Sequence, residues 1–207
     1  MKTFLIMSVY KLLMFLIGVI CLMSRRITAS FTGHRLERFP NYTLSEYEEF
    51  IASLRVSIND AIEDGYVNFI AGMGRGFDII AGEEVCFIRN NTNMNITLEL
   101  AIPFKGHLDR LKLKDSDKIR YEKLVNEANK ITFCKDCYSK GVYHQRNQYM
   151  VDNSSLQIAY WDGGPGGTAH AVNYARQEKI KIVNLYGQLE ADIPFEAKDS
   201  FLTLLTV

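Results

Sequence analysis

The sequence predicts an α/β fold: a doubly wound, mostly parallel sheet with helices on both faces. Three observations lead to this prediction. Strand and helix patterns alternate from Arg26 onward, the strands are short apolar runs, and glycine clusters follow two of them. Continuous apolar strands belong to parallel sheets that are covered on both faces. Right-handed crossovers bring the loops after each strand to one edge of the sheet, where ligands bind at the point of strand-order reversal.

Each element has its own local pattern. The predicted strands are Ile27–Phe31, Tyr66–Ala71, Ile96–Ile102, Ile131–Cys134, Leu156–Trp161 and Ile180–Tyr186. The predicted helices are Thr43–Asp64, Asp78–Arg89, Ser116–Asn129, Tyr143–Asn153 and Gly167–Gln177. The first of these helices opens on a capping box, Thr43 to Glu46, and ends before Gly65.

Composition excludes several classes of protein. The chain has 207 residues, 47% of them apolar, which is enough for a real core. Its 24 acidic and 24 basic residues give no global field that attracts nucleic acid or anionic lipid. Four cysteines at this length favour a reduced, cytoplasmic compartment over a disulfide framework. Nucleic acid is therefore an improbable partner, and the sequence leaves a homo-oligomer open.

The chain divides into three predicted parts: an apolar segment at 1–24, a Rossmann-like domain at 25–190 and a tail at 191–207, in which Phe201–Val207 is a candidate last strand. The uncharged run Leu12–Met23 has 12 residues, short of the roughly 20 that a spanning helix needs. Three interpretations of the first segment stay open: a membrane anchor through residues 3–24, a secretory signal, or a start site at Met23.

The stronger of the two glycine clusters runs from Gly163 to Thr168. Four glycines and a threonine between a strand and a helix offer free amides, a hydroxyl and a helix dipole, which favours anion binding over a plain turn. The candidate ligand-binding residues of this region are Asp162, Gly164, Gly166, Gly167 and Thr168. Asp162 would either orient a sugar or hold its own loop.

The other cluster, Gly72 to Asp78, also lies between a strand and a helix. Its candidate ligand-binding residues are Gly72, Gly74, Gly76 and Asp78. Asp78 would cap its helix, contact a ligand, or do both.

Two further groups of polar residues belong to the same predicted edge. Four candidate ligand-binding residues follow the first strand: Thr32, Gly33, His34 and Arg35. His34 and Arg35 would either contact a phosphate or ligand, or form a basic pair on the surface. Arg146, with Asn147 and Asp152, gives the helix before the second cluster a polar face; Arg146 is the one candidate catalytic residue.

No metal site and no cofactor are predicted. Cys134 and Cys137 form a lone CxxC without a second ligand pair, and we interpret them as incidental thiols.

These motifs resemble the YpsA-like family of the SLOG superfamily of Rossmann-like proteins. The resemblance rests on ITASFTGHR at 27–35, AGMGRGFDIIAGEEV at 71–85, AIPF at 101–104 and RNQYMVDNSSLQIAYWDGGPGGTAHAVNYAR at 146–176. It implies a pocket for a nucleotide or a nucleotide-derived ligand, in a binding protein that acts as a sensor or regulator.

The superfamily also contains the Lonely Guy phosphoribohydrolases and the DNA-processing protein A group. Arg146 resembles the arginine that precedes the PGGxGTxxE motif of the Lonely Guy enzymes, and Gly167-Thr168 match its glycine-threonine pair. Their catalytic glutamate corresponds here to Ala171, beside His170. Cleavage of a nucleoside monophosphate, the alternative function, would need a carboxylate from Asp78, Glu83 or Asp162. Single-stranded DNA binding is a weaker alternative, because no basic run is present.

Overall fold

The structure is a computed structural model that describes residues 2–92 and 94–187. Six strands form its sheet: β1 (Thr28–Gly33), β2 (Asn68–Ala71), β3 (Thr97–Ile102), β4 (Lys130–Phe133), β5 (Leu156–Tyr160) and β6 (Lys181–Asn184). The helices are α1 (Lys2–Arg26), α2 (Leu44–Glu63), α3 (Phe77–Thr92), α4 (His107–Arg110), α5 (Asp115–Glu127), α6 (Val142–Asp152) and α7 (Gly167–Gln177). A short 3-10 turn at Leu36–Arg38 follows β1.

The sheet is parallel throughout, in the order β4-β3-β2-β1-β5-β6. The chain builds outward from β1 to β4 and then returns to place β5 on the free side of β1. Strand order therefore reverses between β1 and β5, where Gly33 pairs with Tyr160. The predicted doubly wound fold is confirmed, and β1 and β5 border its switch point.

Helices cover both faces of the sheet, as the apolar strands require. Helix α3 packs on β1, β2 and β3 and is flanked by α2 and α5. Helix α6 packs on β1 and β3, and α7 packs on β1, β5 and β6. Side chains alternate accordingly along β2. Phe69 and Ala71 join the large core cluster, and Ile70 packs with Ala101 and Met150 in the other cluster.

The capping box predicted for the second helix is present. Thr43 Oγ1 accepts a hydrogen bond from the Glu46 amide, and the Glu46 carboxylate accepts one from the Thr43 amide at 2.7 Å. Two helical features were absent from the sequence prediction, the α4 turn and the 3-10 turn, and both lie beside the site described below.

The apolar N-terminal segment is helical as far as Arg26, and the side chains of residues 14–24 are exposed. Arg25 Nε reaches the Ser154 carbonyl at 3.0 Å, just before β1 begins. In the part of the chain that the structure describes, no helix is long and apolar enough to cross a membrane. The candidate strand Phe201–Val207 lies outside the described residues.

Candidate ligand site at the switch point

A cavity of about 330 Å³ lies at the carboxyl end of β1, and it is also lined by the loops after β2 and β3, by α6 and by the start of α7, the helix that follows β5. It brings together nine of the candidate ligand-binding residues, Thr32, Gly33, His34, Arg35, Gly74, Asp78, Arg146, Gly167 and Thr168, and Asn147 of the predicted polar face also lines it. The other predicted residues, Gly72, Gly76, Asp162, Gly164 and Gly166, do not line it. Both glycine loops therefore border one cavity.

Asp78 and Arg146 form a buried ion pair on the cavity wall. Arg146 Nη1 lies 3.1 Å from Asp78 Oδ2 and also donates to the Gly72 carbonyl. Asp78 Oδ2 accepts the Gly74 amide at 2.9 Å. Burial raises the pKa of Asp78, although the Arg146 charge and the Gly74 amide oppose that shift. The pair places a carboxylate and a guanidinium in the cavity with their charges largely balanced.

The first glycine cluster is shaped by this pair. A Cβ on Gly72 would lie 1.7 Å from Arg146 Nη1, and one on Gly74 would lie 2.8 Å from Asp78 Oδ2. Gly76 has φ +120°, and a Cβ there would meet the His34 carbonyl at 2.6 Å. These glycines are therefore required for close packing, and the Gly74 amide is already bonded within the protein.

The second glycine cluster is held closed by Asp162. Its Oδ1 accepts the Gly164 amide at 2.7 Å, and its Oδ2 lies 3.0 Å from Arg38 Nη2. Arg38 Nη1 also donates to the Pro165 carbonyl at 2.8 Å. Of the two roles predicted for Asp162, the structure has it holding the loop, with Arg38 as an additional clamp.

Free amides remain where α7 begins. The first intrahelical bond runs from the His170 amide to the Gly166 carbonyl at 3.0 Å, so the amides of Gly167, Thr168 and Ala169 have no acceptor within the helix. No side chain caps this end. The Thr168 hydroxyl donates to the Gly33 carbonyl at 3.0 Å and ties α7 to the end of β1. This helix end has the geometry and the partial positive charge of an anion site.

His34 links β1 to the second glycine loop. Its Nε2 accepts the Asp162 amide at 3.0 Å and lies 2.9 Å from Asp162 Oδ1. Burial lowers the pKa of His34, while the Asp162 charge partly offsets that effect. Both contacts of Nε2 are to Asp162, so His34 positions the loop and is not free to contact a phosphate through that nitrogen.

The exposed side of the cavity carries further arginines. Arg75 pairs with Glu37, and Arg38 pairs with Asp162. Arg35 is exposed; its carbonyl accepts the Arg38 amide at 2.9 Å, while its guanidinium has neither a hydrogen bond nor an ion pair among the described residues. In all, four arginines and two carboxylates line the cavity: Arg35, Arg38, Arg75 and Arg146 against Glu37 and Asp78. This excess of positive charge favours an anionic ligand.

Sequence reasoning missed several lining residues: Glu37, Arg38, Arg75, His107, Leu111, Tyr143 and His144. His107 follows the end of β3 as Thr32–Arg35 follow the first predicted strand. Because both positions lie at the same edge of the sheet, this position could have identified His107. Tyr143 and His144 lie within one helical turn of Arg146 and Asn147, so helical spacing could have identified them. Arg38 has no comparable local pattern.

The remaining carboxylate candidate and the cysteines lie elsewhere. Glu83 pairs with Arg120, with 2.7 Å between Arg120 Nε and Glu83 Oε1, and does not line the cavity. Asp152 accepts a hydrogen bond from the Tyr174 hydroxyl at 2.9 Å. Burial raises the pKa of the Cys134 thiol. Within residues 2–92 and 94–187, no group of three or more metal-ligating side chains could hold a metal ion.

The family of the chain follows from comparison with known proteins. The family model for YpsA, described as the YspA SLOG family, matches residues 30–186. The chain belongs to the YpsA family. All the loops around the cavity lie within the matched range. The YpsA family domain thus contains the whole candidate site, and the predicted resemblance is confirmed.

The relatives of this YpsA family member carry less functional information. The uncharacterised SPbeta prophage-derived protein YoqJ of Bacillus subtilis strain 168 is 28% identical over 140 residues, which is 62% of this chain and 79% of YoqJ. DNA processing protein A from Helicobacter pylori, described by its single-stranded DNA binding mode, aligns with TM-score 0.51 and 17% identity, over 89% of this chain and 82% of that one. The Streptococcus pneumoniae protein aligns with TM-score 0.49 and 13% identity, and this chain spans 55% of its length. The Helicobacter pylori match supports the doubly wound α/β fold.

Proposed function

We propose that the protein binds a nucleotide or a nucleotide-derived ligand in the switch-point cavity, in the manner of a sensor or regulator. One observation carries the proposal: Gly167 and Thr168, whose amides have no acceptor within α7, line the same cavity as Arg35, whose guanidinium has no hydrogen bond or ion pair in the described part of the chain. Amides at a helix N-terminus and a free guanidinium together provide the donors and the charge that a phosphate group needs.

The size and lining of the cavity support the same ligand class. Ligand pockets hold about 300–1,000 Å³ and combine apolar walls with a few polar groups. This cavity measures about 330 Å³ and is lined by Leu111 and Tyr143 as well as by the arginines. Its position at the strand-order reversal is where doubly wound folds bind nucleotides.

Gly167→Asp tests the proposal directly. A Cβ at Gly167 meets nothing within 4 Å, so the fold tolerates the change. The new carboxylate would repel a phosphate at the α7 amides. We expect mononucleotides, NAD and ADP-ribose at millimolar concentration to include a ligand that raises the melting temperature of the wild type. At 100 times its Kd a ligand adds about 2.7 kcal/mol, and each kcal/mol raises the melting temperature of a domain this size by roughly 2–4 °C.

Gly167→Asn is the matched control, since it has the same shape without the charge. We expect it to keep most of the ligand-dependent shift that Gly167→Asp loses. Equal shifts in both variants would show that the ligand binds away from α7. No shift with any ligand of the panel would contradict nucleotide binding itself.

Hydrolysis of a nucleoside monophosphate is the second candidate, because Asp78 places a buried carboxyl group on the cavity wall. The Lonely Guy glutamate position is Ala171, which is buried at 1% exposure and carries no acid. Release of free base from AMP, lost in Asp78→Asn, would support this activity. The third candidate function is single-stranded DNA binding. A gel-shift assay of the wild-type protein with a single-stranded oligonucleotide at low salt tests it.

A further inference from the structure

One side of the cavity differs in character from its cationic mouth. His107 and Leu111, from α4 and its end, line it together with Tyr143 at the start of α6. The His107 ring lies 5.8 Å from the Tyr143 ring and 5.5 Å from the Phe104 ring, measured between centroids. The rings meet the imidazole edge-on, at interplanar angles of 62° and 83°, and with Leu111 they form an aromatic and aliphatic wall. Such a wall suits an aromatic heterocycle.

Two buried nitrogen atoms of this wall region lack hydrogen-bond partners. They are His107 Nε2 and Arg146 Nε, and neither has a partner within the part of the chain that the structure describes. His107 is only 2% exposed, and both residues line the cavity. An unpaired buried polar group costs about 1–3 kcal/mol. A ligand atom that bonded either nitrogen would recover part of that cost.

Arg146 Nε is a donor, and we assign the same role to His107 Nε2 from the contact of its other ring nitrogen. Arg146 Nε always carries a proton. His107 Nδ1 lies 3.4 Å from the hydroxyl of Tyr121, a buried residue. The hydroxyl proton is satisfied when it is donated to Nδ1, and the imidazole proton then lies on Nε2. The pair therefore calls for an acceptor atom on the ligand.

Charge separates this region from the phosphate-binding end. The carboxylate of Asp78 balances the charge of Arg146. Burial, followed by the charges of Arg146 and Arg35, lowers the pKa of His107 to about 4, so the imidazole is neutral at pH 7. A second phosphate would find no net positive charge here. An uncharged ring with nitrogen or carbonyl acceptors would find hydrogen-bond donors.

From this juxtaposition we propose that His107, with the Tyr143 and Leu111 wall, is the base-recognition subsite, and that the ligand class is a single nucleoside 5′-phosphate. The His107 and Arg146 donors read a ring nitrogen or carbonyl oxygen of the base, while α7 and Arg35 hold the phosphate. The cavity volume of about 330 Å³ fits one nucleotide better than a dinucleotide. This inference rests on the proposed function.

The experiment compares ligands that share a phosphate but differ in the base. Binding of AMP, GMP, CMP, UMP and ribose 5-phosphate to the wild type is measured by isothermal titration calorimetry at pH 7.5. We expect at least one nucleotide to bind at least ten-fold more tightly than ribose 5-phosphate. In His107→Phe, which keeps a flat ring but has no donor, that nucleotide should fall toward the affinity of ribose 5-phosphate, whose own affinity should not change.

His107→Gln is the matched variant, because its amide restores a donor, and it should recover part of the preference. If His107→Phe fails to fold, as judged by circular dichroism, His107→Gln and His107→Leu decide the question in its place. Equal affinity for nucleotides and ribose 5-phosphate would overturn the inference and leave the proposed phosphate site standing. An unchanged preference of His107→Phe for the nucleotide over ribose 5-phosphate would also overturn the inference. If neither ribose 5-phosphate nor any nucleotide binds, the proposed function fails and the base subsite fails with it.

Discussion

The Asp78–Arg146 pair shows, at the scale of single residues, how one contact organises the cavity. Arg146 fills the space that the absent side chain of Gly72 leaves open, and Asp78 uses the amide of Gly74. Buried ion pairs contribute little net stability, but removal of one partner leaves the other charge uncompensated. The pair therefore matters through the arrangement it imposes on the first glycine loop.

Arg146→Met should lower the free energy of unfolding by about 3–5 kcal/mol at pH 7. The pKa of Asp78 is already raised by burial, and loss of Arg146 would raise it further. A carboxyl group with a raised pKa in the folded state makes stability fall as pH rises above its unfolded value of about 3.9. The loss should therefore be larger at pH 7 than at pH 4 in urea denaturation.

The double variant Arg146→Met with Asp78→Asn provides the control for this prediction. It removes both charges, so it should recover much of the stability and lose the extra pH dependence. A double variant as unstable as Arg146→Met at pH 7 would show that lost packing, and not the buried charge, causes the effect.

Local sequence patterns account well for the secondary structure elements. The helix predicted to start at Gly167 and end at Gln177 is observed with those bounds. Strand β2 begins at Asn68, two residues later than predicted, because the Tyr66 amide donates to the Ala61 carbonyl and still belongs to the end of α2. Apolar runs identify a strand, but they do not show which carbonyl groups accept hydrogen bonds from its first amides.

The residues around the cavity were less predictable, and for a physical reason. Glycine loops and the residues after β1 are local patterns, so nine lining residues could be named from sequence. Arg38 acts through Asp162 and Pro165, more than 120 residues away along the chain. His107 matters because burial leaves its Nε2 without a partner. Neither property is encoded in a short stretch of sequence.

At the element scale, the capping box of α2 is a direct test of local stabilisation. Thr43→Ala should lower the free energy of unfolding by about 1 kcal/mol, because the Glu46 amide loses its acceptor. The Thr43 amide and hydroxyl hold the pKa of Glu46 below its ordinary value. The stabilisation by the ionised Glu46 is present above the pKa that Glu46 has in the unfolded chain, and it is lost as pH falls. The difference in free energy of unfolding between Thr43→Ala and the wild type should therefore shrink toward pH 3.

Ser45→Ala is the matched control, since Ser45 is an exposed hydroxyl residue in the first turn of the same helix. It should change stability by less than about 0.5 kcal/mol. Equal effects at the two positions in urea denaturation would contradict a specific role for the cap.

At the scale of the whole molecule, the predicted boundary near residue 24 can be tested by deletion. The side chains of residues 14–24 are exposed, and Arg25 Nε donates to the Ser154 carbonyl of the domain. Removal of residues 2–22 should therefore change the free energy of unfolding by less than about 1 kcal/mol. Thermal and urea denaturation of the two chains would measure this. A much larger loss would place the segment within the folded unit.

The order of the strands has a consequence for how the protein is made. Strand β1 emerges first from the ribosome, yet its partner β5, which pairs Ala29 with Leu156, emerges more than 120 residues later. Contacts between such distant segments form late, because a large loop must close first. The cavity beside the end of β1, which α7 completes, thus arises only when synthesis of the domain is nearly complete. A nascent chain would therefore be unable to bind the proposed ligand, and occupancy of the cavity would mark a finished molecule.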